Sequence, residues 1–79
     1  MQLPQPLADE LGLLLTFPTD SRLQGLKVHH DADPAMVSAC QRLFDKGIID
    51  KPDGGYLTDL GLDLSRHAQL VFNALKEQQ

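Results

Sequence analysis

Seventy-nine residues, 42% hydrophobic and 23% charged, make one small globular domain rather than a disordered chain or a multidomain assembly. The net charge is −4, from seven Lys+Arg against eleven Asp+Glu, and it excludes a chain drawn to nucleic acid by its overall charge. The single cysteine excludes an internal disulfide, and no apolar run approaches the ~20 residues needed to span a membrane.

Met1 to Gln5 read as frayed, with Pro4 and Pro6 discouraging regular structure. Pro6 opens a helix to about Leu15, with Leu7, Leu11, Leu14 and Leu15 as its buried face. Asp9 and Glu10 suit the positive end of its dipole. Phe17 precedes Pro18 and is pushed out of the helical region. A short second helix is expected from Asp20 to Gln24, ended by Gly25, with Leu23 and Leu26 pointing inward. Lys27-Val28-His29-His30 is then extended or irregular, and a short strand there could pair with the later hairpin.

The stretch from Asp33 to Asp59 carries the strongest local signals. Asp33 is a good N-cap and Pro34 sits at the first helical position, where its missing N–H costs nothing. Met36, Val37, Cys40, Leu43 and Phe44 mark one apolar face, and Cys40 reads as a small core residue. Lys46 lies in the last turn and Gly47 stops the helix. Ile48-Ile49 begin a strand, Pro52-Asp53-Gly54-Gly55 turn, and Tyr56-Leu57 return. Thr58 caps a last helix from Asp59 to about Lys76. In that helix Leu60, Leu64, Ala68, Val71 and Leu75 form one stripe, and Leu62, Leu70, Phe72 and Ala74 widen the apolar surface beyond it. So much apolar circumference in so small a chain points to a homodimer, with Leu62, Leu70, Phe72 and Ala74 as interface candidates. His67 belongs to the same packing or dimer surface.

The run Arg42-Leu43-Phe44-Asp45-Lys46-Gly47-Ile48-Ile49, followed by Asp53-Gly54-Gly55-Tyr56-Leu57-Thr58 and Gly61, resembles the second half of winged helix-turn-helix regulators. The matching segment covers about 27 of 79 residues. With Lys27 to Pro34 ahead of it, the chain also resembles a family of small proteobacterial proteins described as DNA-binding. The resemblance implies a winged-helix-like fold, mostly α with a small β-hairpin: three to four helices and a two- or three-stranded wing. It also implies a dimeric DNA-binding protein, a transcription regulator, whose two central helices enter major grooves about one helical turn, ~34 Å, apart. On that reading Gln41 reads adenine, Arg42 reads guanine, Ser38 reaches a phosphate or base edge, and Lys46 and Lys51 contact phosphates.

Charge keeps a second expectation open. Residues 1–33 carry two basic and five acidic groups (−3), residues 34–56 three of each (0), and residues 57–79 two and three (−1). No segment is a basic patch, and the wing sets Asp50 and Asp53 beside Lys51. About nine residues separate the expected second helix from Pro34, where helix-turn-helix units use three or four. The alternative is a protein-interaction or dimerisation module on the same fold, with no DNA.

Other chemistry finds little framework. His29-His30-Asp31 and Asp33 are metal-ligand types, but neighbours in an extended segment point to opposite sides, so no metal is expected. No nucleophile motif frames a serine, Gly54-Gly55 lacks phosphate-loop spacing, and neither an enzyme nor a cofactor is expected. A lone buried thiol without a signal peptide fits the cytoplasm.

Overall fold

The computed structural model describes residues 3–17 and 25–76. In chain order these are α1 (Gln5–Thr16), β1 (Leu26–Lys27), α2 (Pro34–Asp45), β2 (Ile49–Lys51), β3 (Gly54–Leu57) and α3 (Asp59–Lys76). The strands form an antiparallel sheet in the order β1-β3-β2. Three helices and a small three-stranded sheet give the winged-helix-like class. The helix expected at Asp20 to Gln24, with Leu23, lies outside the described residues. Among those described, no helix is long and apolar enough to cross a membrane.

Local chemistry accounts for the element ends. The Asp33 carboxylate accepts from the Ala35 N–H at 2.9 Å, and Pro34 follows at the first helical position. At the far end Gly47 takes φ +75°. Its N–H donates to the Phe44 carbonyl, and the Ile48 N–H reaches the Leu43 carbonyl at 2.9 Å. That pair of bonds is a Schellman closure, and it turns the chain from α2 straight into β2. Phe17 is extended (ψ 136°), as a residue before proline must be, and its ring is buried.

Thr58 joins sheet to α3. Its hydroxyl accepts from the Gly61 N–H at 3.0 Å and donates to the Gly47 carbonyl at 2.6 Å. Its own N–H donates to the Ile48 carbonyl. Gly54 and Gly55 are not the turn: Pro52-Asp53 turn, and both glycines belong to β3. The cause is contact between strands. A Cβ on Gly54 would stand 2.1 Å from the Leu26 carbonyl oxygen across the β1–β3 pair.

The core gathers Leu13, Leu14, Phe17, Ala39, Cys40, Leu43, Ile48 and Ile49. It corrects three expected faces. In α1 the inward residues are Glu10, Leu13 and Leu14, while Leu7 and Leu11 are exposed and Leu15 is half-buried. In α2 Ala39 joins Cys40 and Leu43, and Phe44 is exposed. In α3 the buried residues are Gly61, Leu62 and Ser65, so most of the expected stripe faces outward. Gly61 sets that rotation, because a Cβ there would lie 1.9 Å from the Ile48 carbonyl oxygen.

Candidate interaction surfaces

The outer face of α2 divides in two. Toward its N-terminus Ser38 and Gln41 are exposed, with the Gln41 amide bonded to Asp45 at 3.0 Å. Toward its C-terminus Arg42 and Lys46, one turn apart, both reach Glu10 of α1. Arg42 Nε donates to Glu10 Oε2 at 2.9 Å and Lys46 Nζ donates to Oε1. Arg42 also donates to the Pro6 carbonyl at 3.3 Å. Glu10 is 6% exposed. Burial by itself would raise its pKa, but the bonds and charges of Lys46 and Arg42 outweigh burial and hold the carboxyl below its ordinary range.

Arg42 and Lys46, expected as base and phosphate contacts, both tie α2 to α1 through Glu10. Their reach toward Glu10 depends on how α1 crosses α2, which periodicity within either helix does not encode. The signal available was the pair itself: two cations at i and i+4 can share one carboxylate on a neighbouring helix. Lys51, on the hairpin, is exposed.

A cleft of about 640 Å³ opens between β1, α2 and the hairpin turn. Val28, Val37, Cys40 and Pro52 give it apolar walls, and Lys27, His29, His30, Gln41 and Asp53 line it with polar groups. Lys27 and Asp53 form an ion pair at 3.6 Å, and the Val28 N–H donates to the Asp53 carbonyl. Cys40 is fully buried, and burial followed by the charge of Asp53 pushes its thiol above the ordinary range. A thiol held neutral in this way is a packing group and a poor nucleophile. Among the described residues, no three His, Cys, Asp or Glu side chains converge as a metal-binding group.

The second surface is apolar. Leu11 and Leu15 of α1 and His67, Ala68, Val71, Phe72 and Leu75 of α3 line a groove of about 290 Å³. Beside it Leu60 and Leu64 are exposed, Val71 is 58% exposed and Leu75 64%. Of the residues expected at a dimer contact, Leu70, Phe72 and Ala74 are exposed. Leu62 is 5% exposed, buried within its own chain, and is no interface residue. The Gly61 contact turns Leu62 inward and Leu60 and Leu64 outward, so of the four expected contact residues Leu62 alone leaves the outer face.

No curated protein and no solved structure is significantly similar to the chain. A family model matches residues 1–76, nearly the whole length. The chain belongs to that family, DUF5669, described as a family of unknown function.

Proposed function

We propose that this domain is a non-catalytic interaction module that binds another polypeptide through the outward faces of α1 and α3. The observation that carries the reading is the apolar groove of Leu11, Leu15, Ala68, Val71, Phe72 and Leu75, with exposed Leu64 and Leu60 one and two helical turns before Ala68 on α3. Apolar patches of this kind on a small chain are usually covered by a partner. The engagement of Arg42 and Lys46 with Glu10, together with the net charge of −4, weighs against a phosphate-binding face on α2. The buried, neutral Cys40 suits a reducing compartment, the cytoplasm.

Site-specific photo-crosslinking in living cells tests the reading. With p-benzoylphenylalanine in place of Leu64, covalent adducts to polypeptide are expected, and with the same probe in place of Ser38 none. Adducts from Ser38 alone would overturn it.

A second reading, duplex DNA binding, is favoured by the cleft that sets Gln41 beside Lys27, His29 and His30. It requires a salt-sensitive mobility shift of mixed genomic fragments that weakens in Gln41→Ala plus Lys51→Ala. No shift at low salt eliminates it.

A further inference from the structure

We propose that the partner is a second copy of this chain, docked by antiparallel pairing of two α3 helices about a two-fold axis near His67 and Ala68. The inference rests on the interaction-module reading and names its partner. Leu60, Leu64, His67, Ala68, Val71 and Leu75 recur at helical spacings of three and four along one side of α3, the pattern of helices that pair along a seam. Apart from His67 the seam is apolar; Ala68 is half-buried and the other members are exposed in the single chain. No element of the described fold covers it.

The seam matches itself when reversed. α3 runs from Asp59 to Lys76, so its midpoint falls between His67 and Ala68. Turning a second copy end for end about that midpoint lays Leu60 over the partner's Leu75, and Leu64 over the partner's Val71. Such self-matching is what an isologous two-fold contact requires, and an unrelated partner has no need of it.

Charge selects the same orientation. Asp59, Asp63 and Arg66 lie in the first half of α3, whereas the second half, Ala68 to Lys76, contains one cation, Lys76, and no carboxylate. Antiparallel pairing about that midpoint sets Asp59 opposite the partner's Lys76 and opposes the two helix dipoles. Parallel pairing would instead set the two acidic N-terminal turns at the same end and align the two helix dipoles. Leu11 and Leu15 of α1 widen the contact on one flank.

The test uses the full chain and two single variants, Leu64→Cys and Val71→Cys. Both positions are exposed in the monomer, so the core is untouched, and circular dichroism is expected to match the parent. Cys40 is buried and stays out of exchange. Sedimentation at tens of micromolar is expected to give twice the 8.7 kDa chain mass. Mild oxidation of an equimolar mixture is expected to give the mixed 64–71 disulfide well above the half produced by random pairing.

A monomer at that concentration, or a majority of 64–64 and 71–71 disulfides, overturns the proposal. A monomer whose α3 face still crosslinks to a different polypeptide in cells leaves the module reading standing. Loss of both signals removes the reading as well.

Discussion

Glu10 shows how much one side chain contributes when two elements meet over it. Its carboxylate is nearly excluded from water, and a buried charge persists only when its oxygens are paired. Arg42 and Lys46 pair one oxygen each. Replacing Glu10 by glutamine removes the charge and keeps the shape, so both cations lose a charged acceptor. Glu10→Gln is expected to lower unfolding free energy by about 1–3 kcal/mol in urea titration. The pH dependence has a definite sign. The folded-state pKa lies below the ordinary 4.5, so the unfolded chain binds the proton more tightly. The resulting stability is present above about pH 4.5 and is lost as pH falls through the folded value. Acid unfolding in Glu10→Gln should lack that component. Equal acid sensitivity in both proteins would refute the assignment.

At the scale of elements, capping and turn chemistry was readable residue by residue. The Asp33-Pro34 start, the Gly47 stop, extended Phe17 and the Thr58 cap follow from backbone groups that need partners within a few residues. The strand considered for Lys27 to His30 lies instead at Leu26–Lys27, sharing only Lys27 with it, and pairs with β3, while Val28 to His30 stay outside the sheet. The buried faces were harder to place. All three helices carry apolar residues around more than one stripe, and periodicity does not choose between stripes. A close contact does so in α3. There the Gly61 backbone meets the Ile48 carbonyl, and no larger residue fits. Gly61→Ala gains helix propensity but overpacks that contact, and a net loss of about 1–3 kcal/mol is expected from its denaturation midpoint. A variant as stable as the parent would mean that α3 docks on the sheet elsewhere.

For the whole molecule, a thin core meets a broad uncovered face. A chain of this size buries only about 60% of its unfolded surface, so coupling to a partner adds appreciably to stability. The melting temperature is therefore expected to rise with protein concentration, as mass action demands of an associating fold. In Val71→Glu that dependence should vanish while the low-concentration melting temperature stays close to the parent's, because Val71 is exposed in the single chain. A concentration-independent melting temperature in the parent would count against self-association.

The amino-acid order by itself determined the punctuation of this protein: where helices begin and stop, where the hairpin lies, and that more apolar surface exists than one small chain can bury. Those properties are local or compositional, set by bonds within a few residues and by the total of side-chain types. The tertiary structure alone decided which side of each helix is inside. It turned Leu62 inward and left Leu60, Leu64 and Val71 outside, and it brought Arg42 and Lys46 together on Glu10. Those outcomes depend on the rotation and crossing of helices far apart in sequence. Contacts such as Gly61 against Ile48 set that geometry, and no single segment carries it.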